Sequence, residues 1–222
     1  MVLSLNVVYL HGFASSPESS KAIGIADALR PLGIETRIPD LNQPSFRALT
    51  ITRMIQQVRD LVDAAEPGPV VLIGSSLGAF VAVHAAAADP RVKGLVLMAP
   101  ALDFGAGEND RIGTVSIADW RAAGSCEVFH YAWNRSETLD FALYEDAERY
   151  DAFAANLDIP VLVFQGRQDT VVDPRVVMRW WGSRPNVTLE LLDDNHQLQA
   201  SVDRICAMTA AFVEAVGETT GR

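Results

Sequence analysis

The 222-residue sequence predicts an α/β fold, a mainly parallel sheet of six strands or slightly more with helices on both faces. Three observations carry that prediction. Short β-rich apolar runs alternate with segments of helical spacing along the chain, and parallel strands need such crossovers. The composition, 49% hydrophobic and 21% charged, supplies a full core. The length suits one α/β domain better than two.

The strand runs, taken in order, are residues 6–10, 70–73, 94–98, 161–164 and 187–192, with a weaker one at 35–41. Helical spacing fills residues 19–32 and 45–65, an Ala-rich helix covers 76–88, and residues 197–216 close the domain. Pro174 beside Asp173 marks a further helix start with Asp173 as its cap, and Trp180 and Trp181 on that helix cannot both face one core. The last residues, 217–222, read as a frayed end.

Between residues 103 and 158 no simple crossover helix is evident, and the stretch is too long for a featureless loop, so it is an insertion with structure of its own. It reads as a β-hairpin, residues 127–132 and 138–143 around a turn at Trp133-Asn134-Arg135-Ser136, leading into a helix from about Tyr144. Nine of the chain's 17 aromatic residues fall between Phe104 and Phe153. Those rings either line an acyl or aryl pocket as a lid, with Tyr131 and Trp133 against substrate, or form the insertion's own small core.

Eighteen basic against 28 acidic residues leave a formal charge of −10, with no run of Lys or Arg to meet a phosphate backbone or an anionic membrane. Nucleic acid and membrane surfaces are thereby poor partners. Cys126 and Cys206 have no CxxC spacing and no nearby His pair, which argues against a zinc site or a disulfide framework and fits a reducing compartment. The apolar run at the start lacks the basic residues and cleavage site of a leader, and no stretch reaches the roughly 18 to 20 apolar residues of a membrane span, so a cytoplasmic location is expected.

The segment LIGSSLGAF places a G-x-S-x-G between a strand and a helix, the pattern of a nucleophile elbow. A serine on such a sharp turn has strained backbone angles, so the residues two before and two after it must be small. Gly74 and Gly78 meet that need for Ser76, whereas Ser75 would have Ile73 and Leu77 in those places. A serine hydroxyl needs a base. Of four histidines, His84 lies inside the helix that Ser76 opens, His130 lies in the hairpin, and His11 follows the first strand; His196 alone sits on a loop after a late strand, at the sheet edge where Ser76 lies. The base needs an acid, and Asp169 follows a strand and falls between serine and histidine in chain order. Asp193 and Asp194 are too near His196 to fold back onto its ring, and Asp103, after the strand that follows the elbow, is the rival.

An acyl-transfer site also needs two backbone donors for the oxyanion. Leu77, next to the nucleophile, supplies one, and Gly12 in YLHGFASSP lets the chain turn so that Phe13 supplies the other, with His11 and the Phe13 ring beside the acyl group.

On LHGFASSPESSKA, IGSSLG and the late Asn195-His196, the sequence resembles the α/β-hydrolase superfamily and, more narrowly, the small bacterial YqiA-type esterases. The resemblance implies an α/β-hydrolase fold along nearly the whole chain, a triad of Ser76, Asp169 and His196, oxyanion donors at Phe13 and Leu77, and no metal or organic cofactor. The chain departs from that pattern in a longer insertion and in Ala79-Phe80, where a pair beginning with Gly is usual. The implied activity is cleavage of a small-molecule ester. A thioesterase would use the same residues, with Arg121, Arg135 and Arg149 as cations to meet coenzyme A, and a ligand-binding protein on the same fold is the non-catalytic alternative. A monomer or homodimer is expected.

Overall fold

The computed structural model describes residues 5–106 and 111–220. The chain runs through β1 (Asn6–Leu10), α1 (Ser20–Leu29), β2 (Thr36–Arg37), α2 (Ile51–Asp63), β3 (Val70–Ser75), α3 (Leu77–Ala88) and β4 (Val92–Met98). An excursion follows, β5 (Arg111–Ile112), β6 (Val115–Ser116), α4 (Ile117–Ala123), β7 (Ser125–His130), β8 (Arg135–Asp140) and α5 (Ala142–Ala147). The domain then closes with β9 (Val161–Gly166), α6 (Pro174–Gly182), β10 (Val187–Leu192) and α7 (Val202–Thr220).

Six strands form one sheet in the order β10-β9-β4-β3-β1-β2, and every pairing in it is parallel. Alternate residues of each strand enter opposite cores. Val8, Leu10, Leu72, Leu95 and Val163 pack toward α2, α3, α6 and the excursion, while Val7, Tyr9, Ile73, Val96 and Phe164 pack toward α1 and α7. Burial on both faces is why these strands read as unbroken apolar runs. Among the described residues no helix is long and apolar enough to cross a membrane.

Local chemistry moves several boundaries. Pro31 turns the end of the first helical segment into a short 3-10 turn after α1. The second begins only at Ile51 with Thr50 as its cap, and Phe46 in the preceding loop is core. The weak strand shrinks to two residues because the chain at 40–42 leaves the sheet and ties to the turn after β1 through side chains. The terminal helix begins at Val202 and runs to Thr220, so residues 217–220, expected to fray, are helical, while 221 and 222 lie outside the described residues. Asp173 caps α6 as expected, accepting from the Arg175 N–H at 2.8 Å. Trp180 is fully buried and Trp181 half-exposed.

The excursion contains the expected hairpin, displaced by about two residues: the turn is at 131–134, where Asn134 takes a left-handed φ of 51°, and Arg135 and Ser136 already pair in β8. The small hairpin of β5 and β6 and the helix α4 had no clear periodic signal. The excursion packs as part of the main core. Fully buried Trp120 donates its indole N–H to the Leu139 carbonyl at 3.1 Å and meets Phe141 edge-on. Arg184 anchors the return to β9, donating to the carbonyls of Ala152, Phe153 and Ala155 with its guanidinium over the Trp180 ring.

Candidate active site

Three strand ends bring the site together. Ser76 stands in the turn between β3 and α3, Asp169 follows β9, and His196 follows β10, all at the carboxyl edge of the sheet. Ser76 has φ 52° and ψ −117°, a conformation that costs a non-glycine residue about 1 to 3 kcal/mol. It is held there from both sides, its N–H donating to the Met98 carbonyl at 2.9 Å and its carbonyl accepting from Ala79, Phe80 and Ala101.

The flanking glycines are required by contact. A Cβ on Gly74 would lie 2.5 Å from the Ala79 Cα, and one on Gly78 would run into the carbonyl oxygens of Leu10 and His11. The elbow is therefore wedged under the end of β1, backbone against backbone. We expect Gly78→Ala to lower unfolding stability by about 3 kcal/mol, because neither carbonyl can move aside. A urea midpoint within error of the parent would show that the wedge can relax.

Gly12 brings the turn after β1 against Ser76: a Cβ there would sit 3.3 Å from the Ser76 Cβ. His11 in this turn is placed otherwise than the sequence led us to expect. It is only 2% exposed, its Nε2 accepts from the Leu41 N–H at 3.0 Å, and its Nδ1 bonds the Gly12 carbonyl at 2.9 Å. Burial lowers its pKa, which matches a neutral ring with its proton on Nδ1. With both nitrogens committed to the backbone, His11 has no polar atom left for a substrate. It orients the turn instead: in a trans peptide C=O and N–H point oppositely, so holding the Gly12 carbonyl fixes the direction of the Phe13 N–H. Asn42 helps, donating to the Ser15 carbonyl at 2.8 Å.

His196 Nδ1 lies 2.9 Å from Asp169 Oδ2. Asp169 Oδ1 accepts the N–H groups of Val171 and Val172, both at 2.9 Å, and Gln165 donates a second bond to Oδ2 at 3.0 Å. Burial pushes the Asp169 carboxyl up, but the bonds from His196 and the two backbone N–H groups together hold it below its ordinary value. The two loops touch directly, since a Cβ on Gly166 would meet the carbonyl oxygens of Asp194 and Asn195 at 2.5 and 2.7 Å. Asp194, too close in sequence to orient the His196 ring, accepts from the N–H groups of Asn195 and Ser201 and so braces the loop that carries it. Asp103 is buried in the turn after β4. At the start of α1, burial brings the Lys21 ammonium down to about 8, against the opposing charges of Asp169 and Asp194.

The aromatic insertion divides. Phe13 packs on Phe46 at 5.4 Å, Phe46 meets His130 edge-on at 4.8 Å, and Trp133 stacks on His130 at 3.8 Å. Trp133 thus joins a ring cluster that reaches the turn after β1, and the Ala132 N–H donates to the Ala14 carbonyl beside it. Tyr131 leaves that cluster; it is 75% exposed and touches Phe129. His84 packs edge-on against Phe80 within α3, and Ser75 is buried, so neither competes with the groups at the sheet edge. Asn42 and Gln165 were invisible in the sequence, where a lone amide in a loop or strand carries no pattern.

A bovine protein, "Palmitoyl-protein thioesterase ABHD10, mitochondrial", is 29% identical over 178 residues, which are 76% of this chain. The chain spans 58% of that relative's length. Among solved structures, Est1E from Butyrivibrio proteoclasticus with ferulic acid bound superposes with a TM-score of 0.84 at 16% identity, covering 96% of this chain and 88% of that one. Mouse alpha/beta hydrolase domain-containing protein 10 gives 0.79 at 19% identity, covering 95% and 90%. These likenesses, with the parallel six-stranded sheet, show an α/β-hydrolase fold. The model of the family described as "Uncharacterised protein family (UPF0227)" matches residues 6–213, nearly the whole domain, and the chain belongs to that family.

Proposed function

We propose that this protein is a serine hydrolase that cleaves small carboxylic esters through an acyl-enzyme. The observation that carries the proposal is the pairing of His196 Nδ1 with a buried Asp169 carboxylate at the sheet edge where Ser76 stands in a strained turn. With Nδ1 donating to the carboxylate, Nε2 is left to accept a proton. Ser76 Oγ attacks the ester carbonyl while His196 Nε2 takes its proton. The N–H groups of Phe13 and Leu77 meet the oxyanion, and His196 then gives the proton to the leaving alkoxide. Water repeats the sequence on the acyl-enzyme.

A thioester would react by the same steps, and the bovine relative is named for that chemistry. The cations expected to meet coenzyme A sit in exposed surface pairs, Arg121 with Glu148, Arg135 with Glu137 and Arg149 with Asp146, which a phosphate can displace, so turnover and not these contacts separates the ester from the thioester reading.

The test is labelling with a fluorophosphonate alongside turnover of p-nitrophenyl esters from acetate to decanoate and of the matching acyl-coenzyme A thioesters. One adduct per chain on the peptide containing Ser76, with ester turnover abolished in the labelled protein, is expected. A folded protein that takes up no label would remove the hydrolase proposal, and faster turnover of thioesters would move the substrate class.

A further inference from the structure

Behind the His196 and Asp169 pair stands Gln165, on β9 and fully buried. Its Nε2 donates to Asp169 Oδ2 at 3.0 Å, the same oxygen that faces His196 Nδ1 at 2.9 Å. The second Nε2 proton goes to the Gly166 carbonyl at 3.2 Å. The other end of the amide is orphaned: Oε1 is buried and has no hydrogen-bond partner among the described residues. Turning the amide over gives no relief: Oε1 would then face a carboxylate and a carbonyl, both acceptors, and the NH2 group would be stranded. An orphaned buried acceptor destabilises the fold, and an apolar side chain of similar shape would remove that cost. What the amide supplies in return is one N–H to Oδ2.

We infer that Gln165 is a positioning residue for the acid and base pair, its side-chain N–H setting the direction and the strength with which Asp169 Oδ2 accepts from His196. The inference rests on the proposed roles of Asp169 and His196. Oδ1 is held by the Val171 and Val172 N–H groups, so the Gln165 bond completes a set of donors that stops the carboxylate from rotating about χ2. It also divides the accepting power of Oδ2 between two donors. Without it Oδ2 draws harder on the His196 Nδ1 proton and favours the charged ring before Ser76 has given up its proton, and the carboxylate gains freedom to turn.

Gln165→Leu and Gln165→His test this, since the ring Nε2–H of a histidine reaches about as far as the amide N–H. The first readout needs no substrate: the low-field proton resonance of His196 Nδ1–H, assigned by its loss in His196→Gln. It should move further downfield in Gln165→Leu and stay near the parent position in Gln165→His. The second is the pH profile of ester turnover. Gln165→Leu should lower kcat about tenfold with KM unchanged, the order expected for one lost hydrogen bond to a charged group, and its acidic limb should move to higher pH. Gln165→His should restore most of the loss, and Gln165→Leu should be no less heat-stable than the parent. An unmoved resonance in Gln165→Leu, or activity losses that follow falling stability in both variants, would overturn the positioning role. A moved resonance in a protein that turns over neither ester nor thioester would leave that role standing and sink the hydrolase proposal instead.

Discussion

Replacing Ser76 by alanine is expected to lower kcat about 10⁶-fold, the loss found when the nucleophile of a comparable triad is removed, with what remains coming from binding and the oxyanion donors. KM should change little, because Ser76 contributes no binding contact of its own before the bond forms. Ser75→Ala is the matched control. Ser75 is only 4% exposed, at the end of β3, and its removal should leave kcat within a few-fold of the parent. The same position allows a second measurement. Ser76→Ala keeps a Cβ at φ 52° and so keeps the strain, whereas Ser76→Gly releases it and should raise stability by about 1 kcal/mol. A gain in stability from Ser76→Gly alone, with both variants inactive, would show that the strained turn serves the reaction and not the fold. Equal loss in Ser75→Ala and Ser76→Ala would place the nucleophile elsewhere.

The parts legible in the sequence were those that backbone geometry demands. The five longer strands could be read because both faces are buried, and Ser76 could be told from Ser75 because only one of them has Gly74 and Gly78 as neighbours where Leu10 and Ala79 leave no room for a Cβ. That His196 and Asp169 meet could be expected from their positions after strands, since parallel topology collects such loops at one edge. What failed depended on side chains meeting across the chain. His11 reads as a substrate contact from its place after β1, but it is turned inward by Leu41, thirty residues away. Tyr131 and Trp133 are two residues apart in an aromatic run, yet only Trp133 folds over His130. Gln165 looks like an ordinary residue in a buried strand until the carboxylate that it holds is in view. The hairpin slipped by two residues because the left-handed residue at its turn is Asn134, and Arg135 is as acceptable at the start of a strand as in a loop.

Asp169→Asn should cost about 10⁴ in kcat/KM while leaving the protein folded, because it reverses the proton inventory around His196. The carboxylate oxygen Oδ1 accepts two backbone N–H groups at 2.9 Å, so in the asparagine variant the amide oxygen must stay there. Its NH2 group then faces His196 Nδ1 and can only donate. The ring is forced into the tautomer with its proton on Nε2, where it cannot accept from Ser76, and the Gln165 amide can turn over to accept the remaining proton. The fold itself should survive at neutral pH. Its pH dependence should change, because the Asp169 carboxyl is held below its ordinary value in the folded protein by His196 and the Val172 and Val171 N–H groups, against burial. A carboxyl depressed in this way stabilises the fold above its unfolded value of about 3.9, and that contribution is lost as pH falls through the lower folded value. Whatever stability separates parent from Asp169→Asn at pH 7 should therefore shrink below about pH 4, read as the difference in urea midpoint across pH. A loss of activity smaller than tenfold would show that His196 takes its orientation from another carboxylate. Asp103, buried after β4 on the neighbouring strand, is the one to replace next.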